Sequence, residues 1–217
     1  VQDGINTIAI AEGALSQMHS ILARMRELAV QSSNDTLTNS DRTQSQSEFN
    51  ALRTEITRIG DATQYASVPL LNGNVSAFNL RVGANTPDLL VVSFPNATVT
   101  GIEGDAAYSA TGAAPLSGTD LNSQATANAA ISPLDAAIEV ISGYRSALGA
   151  MTNRLQSTSD SLGVTSENVA AANSRIQDTD MAAAMSEMVR SQILQQAGIA
   201  VLAQANQAPQ AVLKLLQ

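Results

Sequence analysis

The longest unbroken pattern in the chain is a run of apolar residues seven apart: Leu134, Ile141, Leu148, Leu155, Leu162, Val169 and Ile176. Three positions after each of the first six stand Ala137, Tyr144, Met151, Thr158, Thr165 and Ala172. A strand would alternate with period two; alternating three- and four-residue steps belong to a helix whose stripe faces other helices. The spacing predicts one helix from 134 to 178, starting after Pro133, and a rise of 1.5 Å per residue makes it about 67 Å long. Two further helices are written upstream in the same way. Residues 3–32 carry Ile8, Leu15, Leu22 and Ala29 in one column and Ala11, Met18 and Met25 in the other. Residues 41–66 carry Phe49, Ile56 and Thr63 beside Leu52, Ile59 and Ala66. The polar run between them, SSNDTLTNS, is rich in side chains that bond their own backbone. Ser40 or Asn39 is the expected cap of the second helix, with Asp41 in its first turn. So short a link makes the two helices antiparallel neighbours.

Residues 67–130 break the helical period. Phe78, Leu80 and Val82 alternate with polar residues, GANTPD turns, and Leu90, Val92 and Phe94 alternate again, which predicts a β-hairpin. Residues 101–124 are rich in Gly, Ala, Ser and Thr without clear period and are expected as loop or weak strands. Asp178-Thr179-Asp180 reads as a helix break with capping carboxylates. Met181, Met185 and Met188 then resume helical spacing, and residues 191–213 carry no charge. That stretch is not a membrane span: Gln192, Gln195, Gln196, Gln204, Asn206, Gln207, Gln210 and Pro209 interrupt it. Ile193, Ile199, Leu202, Val212 and Leu216 beside glutamines suit packing on other protein helices. The expected fold is mainly α: an elongated helical-bundle or coiled-coil rod of two N-terminal helices and one long C-terminal helix, with a small β-hairpin region.

Composition sharpens this picture. Aromatics are 3% of the 217 residues and Trp is absent, which suits thin helical packing seams better than a broad globular core. A net charge of −8 excludes the basic patch that nucleic acid or an anionic membrane calls for. With no Cys there is neither a disulfide framework nor a thiolate metal site nor a thiol nucleophile. No basic stretch followed by an apolar run marks a secretory signal at the start.

No catalytic constellation emerges. The single His, His19, lies beside the heptad columns, and one histidine cannot supply a two-histidine zinc motif. Asp178 and Asp180 are two apart and would not face each other on a helix. Three Asn-x-Ser/Thr triplets, at Asn34, Asn74 and Asn96, are what a chain so rich in these residues produces by chance. No enzyme activity, cofactor or metal is expected.

Two segments carry a family resemblance. RMRELAVQ at residues 24–31, with the following SSNDT and the ATQY that closes the second helix, resembles the N-terminal conserved region of bacterial flagellins. QILQQAGIAVLAQANQAPQAVLKLL at residues 192–216 resembles their C-terminal signature. The resemblance covers about 3–82 and 131–217, and it implies a subunit that polymerises with itself into the bacterial flagellar filament. It divides the chain into N-terminal rod helices (1–66), a hairpin and variable region (67–130), the long rod helix (131–180) and the C-terminal helix of the filament core (181–217). Flagellins carry further residues before the point matching Val1, so the sequence is expected to lack the N-terminal half of the inner domain. Their middle region is often O-glycosylated, here at residues 101–124.

The same resemblance implies partners and sites. Partners are other copies, a flagellar export chaperone, the flagellar type III export apparatus and the filament cap, placing the protein outside the cell. Arg24, Leu28 and Glu55 match residues that contact neighbouring subunits or Toll-like receptor 5 of animal hosts, although Ala23 departs from the usual Gln. Leu28 is off both columns and is expected to be exposed one turn from Arg24. Ile193, Ile199, Leu202, Val212 and Leu216 would form the core-packing stripe. The alternatives are a hook–filament junction protein, which shares the terminal helices, and a flagellin-like surface protein that binds polysaccharide through residues 67–130. The second is disfavoured by a middle region with only Phe78, Phe94 and Tyr108 as aromatics.

Overall fold

The computed structural model describes residues 1–74, 77–83, 87–178 and 180–215, with side chains described through residue 205. It divides into two compact units, residues 1–163 and 164–217.

In the first unit, α1 (Gln2–Ser32) and α2 (Asn39–Ala62) form an antiparallel pair. The cap of α2 is Thr38, one residue before the expected Asn39 or Ser40. Its hydroxyl accepts from the Asp41 amide, and the Asp41 carboxylate accepts from the Thr38 amide at 3.1 Å, a reciprocal capping box. The Asp41 carboxyl is held below its ordinary range by the Thr38 hydroxyl and then by the Thr38 amide. The connection is locked by Arg42, which is buried and donates to the carbonyls of Ser32 and Asn34, each at 2.9 Å. The Ser32 carbonyl is an end-of-helix acceptor with no partner of its own in α1, and the Asn34 carbonyl, in the following turn, also accepts from the Leu37 amide at 3.4 Å.

The second helix ends at Ala62, short of the expected 66. Gln64–Tyr65 (β1) pairs antiparallel with Val68–Pro69 (β2), and the turn between them holds Ala66 at φ 48° and Ser67 at φ 66°. Two left-handed residues make the tight hairpin that sequences normally announce with Asn-Gly. The expected larger hairpin is present as β3 (Ala77–Arg81) and β4 (Leu89–Ser93), with Phe78 opposite Val92 and Leu80 opposite Leu90. Phe78 and Phe94 meet edge to face, with centroids 5.5 Å apart. Gly4 of α1 lets this sheet come close, because a Cβ there would collide with the Leu80 side chain.

The middle region is not a loop. It contains α3 (Val99–Glu103), α4 (Ala106–Ala110) and a 3-10 turn at Leu116–Gly118. Thr98 and Asp105 cap the two helices, and Ile102, Tyr108, Leu116 and Leu121 are buried. One or two buried apolar residues suffice to pin such short elements but leave no period to read. Burial pushes the Tyr108 hydroxyl up to about 12, and it donates to the Ala114 carbonyl at 2.6 Å.

The long helix α5 runs from Gln124 to Gln177, so it begins before Pro133, not after it. Ser123 and Thr126 cap it reciprocally through their hydroxyls and amides. Ala127 and Ala130 continue the seam upstream and are buried, and this packing offsets the backbone hydrogen bond that Pro133 forgoes. Within the first unit α5 lies antiparallel to α1, joined by Arg26–Asp135 and Arg145–Glu12. Tyr144 ties it to the middle region, donating to the Asp105 carboxylate at 2.7 Å. In the second unit α6 (Met181–Leu215) follows, with Asp180 accepting from the amides of Ala182 and Ala183 as the break signal predicted. Among the described residues no helix is long and apolar enough to cross a membrane.

Candidate assembly surfaces

The first surface is the outer face of α1 and α2. Arg24 is half-exposed and held between two carboxylates, donating to Glu48 at 2.9 Å and to Glu27 at 3.0 Å. These hydrogen bonds, Glu48 first, raise the guanidinium above its ordinary value, so the charge is permanent. Leu28 departs from expectation: it is 2% exposed. The reason is that α1 packs on two neighbours. The heptad columns face α5, and the flank carrying Leu28 is covered by the start of α2, which widens the buried stripe beyond two columns. Arg24, Leu28, Asp41 and Glu48 line an open polar groove of about 440 Å³ between the helices, with Leu28 as its floor. Glu55 is not part of that groove. It lies seven residues beyond Glu48, about 10 Å along α2, and is held by Arg58 at 2.6 and 2.7 Å. Hydrogen bonding from Arg58 keeps the Glu55 carboxyl below its ordinary range, against the opposing effect of desolvation. The structure therefore brings Arg24 and Leu28 together and leaves Glu55 two turns away.

The second surface begins on α5. Leu134, Ile141, Leu148 and Leu155 are buried, as the heptad predicts, in a core shared with Ile8, Leu15 and Leu22. The same column continues at unchanged spacing into Leu162, Val169 and Ile176, whose exposures rise through 36%, 62% and 84%. Leu155, the last buried member of the column, lies beside Gly4 of α1. On α6, Ile193, Ile199 and Leu202 are all exposed, as are Leu194 and Val201. Val212 lies beyond the side chains described, and Leu216 lies outside the described residues. The expected single stripe is also revised: Ile193 and Ile199 are six apart and so point about 120° away from each other. Exposed apolar residues therefore lie on more than one side of α6, interspersed with Glu187, Arg190, Gln192, Gln195 and Gln196.

His19 is half-buried on α1, and among the described residues no cluster of His, Asp and Glu could hold a metal ion. Sequence reasoning passed over Arg42 and the Tyr144–Asp105 link. The first could have been suspected from the lone Arg a few residues after a helix end; the second has no local signal.

Comparison with known proteins identifies the family. Residues 1–76 match the bacterial flagellin N-terminal helical region and residues 131–216 match the bacterial flagellin C-terminal helical region. A flagellin of Halalkalibacterium halodurans is 46% identical over 216 residues, covering 100% of this chain and 76% of that protein. A Bacillus subtilis flagellin is 40% identical, with 100% and 78% covered. The flagellar filament 30.7 kDa core protein of Treponema maltophilum is 36% identical, with 100% and 77% covered. Among solved structures, Bacillus cereus flagellin superposes with a TM-score of 0.62 at 26% identity, covering 79% of this chain and 92% of that one.

Proposed function

We propose a function from the premise that this chain belongs to the bacterial flagellin family: it is a structural subunit of the flagellar filament, built to pack on copies of itself. The observation that carries this is the heptad of α5, which stays apolar through Leu162, Val169 and Ile176 where those side chains are exposed, followed by α6 with Ile193, Leu194, Ile199, Val201 and Leu202 exposed. Such surfaces are stable in water only when other helices cover them, and a head-to-tail contact that does not close on itself grows into a helical filament. A fully buried Leu or Ile contributes about 1.5–3 kcal/mol, so a seam repeated in every subunit makes a durable polymer.

Residues 181–217 pack in the filament core, with Ile193, Ile199, Leu202, Val212 and Leu216 in contact with other subunits. Before assembly the same helix is the surface that a flagellar export chaperone covers. The subunit leaves through the flagellar type III export apparatus and is added beneath the filament cap, outside the cell. The outer face of α1 and α2 contacts neighbouring subunits and Toll-like receptor 5 through Arg24 and Glu55, with Leu28 supporting Arg24 from beneath. Electron microscopy of the full-length subunit, with the N-terminal inner-domain residues included, is expected to show filaments; material that stays monomeric or amorphous removes the assembly reading. In receptor-reporter cells Arg24→Ala and Glu55→Ala should each lower signalling, and full signalling from both takes these residues out of the contact.

A further inference from the structure

The six methionines divide sharply by environment. Met18 and Met25 are 0% exposed in the core of the first unit, and Met151 is half-buried on α5. Met181, Met185 and Met188 are 68%, 50% and 47% exposed on α6. They are spaced four and three apart, and the same alternation runs on through Gln192, Gln195, Ile199 and Leu202. The three thioethers therefore share one face of α6, which passes through Gln192 and Gln195 before Ile199 and Leu202 and keeps the regular spacing of a helix–helix contact. We propose that Met181, Met185 and Met188 form an oxidant-sensitive segment of the seam, whose oxidation in the free subunit prevents its assembly.

The chemistry is oxygen transfer from a hydroperoxide, with hydrogen peroxide as the simplest. A sulfur lone pair attacks one peroxide oxygen, the O–O bond breaks, and the other oxygen leaves as water. The thioether loses two electrons and becomes a sulfoxide. Each event turns a flexible apolar side chain into a polar, chiral one, and methionine sulfoxide reductases reverse it, one enzyme per epimer. Three sulfoxides would place three strong dipoles where thioethers now pack, each burying a polar group without an assured partner. The core methionines are shielded, so the fold of the first unit is spared while the seam is blocked. The inference rests on the self-association proposed above.

The test is graded exposure of the purified full chain to hydrogen peroxide, read by peptide mass spectrometry and by incorporation into filaments grown from seeds. Met181, Met185 and Met188 should oxidise at least about tenfold faster than Met18 and Met25, following their exposure. The oxidised subunit should enter filaments poorly, and treatment with both epimer-specific reductases should restore entry. A chain carrying Met181→Leu, Met185→Leu and Met188→Leu should assemble equally with and without peroxide; if that variant does not assemble, reductase rescue of the unmutated chain decides. Equal oxidation of all sites, undiminished entry of the oxidised subunit, or loss of entry that the reductases do not reverse overturns the inference. Failure of untreated subunits to enter filaments instead sinks the functional reading, and the inference with it.

Discussion

Arg42 shows how much one residue can contribute in a fold made mostly of repeats. Its guanidinium reaches the carbonyls of Ser32 and Asn34 and the Asn39 side chain, tying the end of α1 to the first turns of α2. Arg42→Met keeps the aliphatic stem but leaves the Ser32 and Asn34 carbonyls without this donor. Leaving the buried Ser32 acceptor unpaired costs about 1–3 kcal/mol, so the unfolding free energy should fall by that much, read as a lower denaturation midpoint at an unchanged m-value. No change in midpoint would show that water serves those carbonyls equally well. Leu28 carries the complementary lesson. Its position off both columns predicted exposure, yet it is 2% exposed, because the heptad describes one partner and α1 has two. Ala66 and Ser67 were unreadable for another reason: each pays the cost of a left-handed backbone without the Gly or Asn that normally marks it.

At the scale of elements, what could be read tracks length and regularity. The helices with many repeats, α1, α2 and α5, were visible as periods, and β3–β4 as alternation around a turn. The elements missed, α3, α4 and the β1–β2 hairpin, are two to five residues long, and the helices are fixed by only one or two anchors, Val99 and Ile102 in α3 and Tyr108 in α4, that no period can reveal. Pro133 misled because its local cost is real, whereas the seam that outweighs it is spread over Ala127, Ala130 and Leu134. The heptad itself holds a test, since identical residues at equivalent positions sit in different surroundings. Leu148→Ala empties a packed site and should cost about 2–5 kcal/mol. Leu162→Ala, at the same heptad position but 36% exposed, should shift the stability of the isolated subunit little. Both would be measured by urea denaturation. Equal losses would mean that the seam is covered past Leu155 in solution.

At the scale of the whole molecule, the two units differ in what holds them. Residues 1–163 contain the buried apolar core, drawn from α1, α2, the sheets, the middle region and the first part of α5. Residues 164–217 contain helix without buried side chains among those described. Helix propensity alone seldom sustains a helix of this length in water, since most helical stability in proteins comes from packing an apolar face. Amide exchange in the isolated subunit should therefore be slow in α1 and in α5 as far as Leu155, where opening requires disruption of the core, and fast in α6, where opening disrupts none. In the assembled filament the contrast should vanish, because α6 then has neighbours on every apolar side. Protection in α6 should rise by at least about a hundredfold, the equivalent of 2.7 kcal/mol or the burial of one or two large aliphatic side chains. If hydrogen exchange in filaments leaves α6 as open as in the monomer, some other surface drives the polymer. The exposed heptad of Leu162, Val169 and Ile176 would then need a different partner.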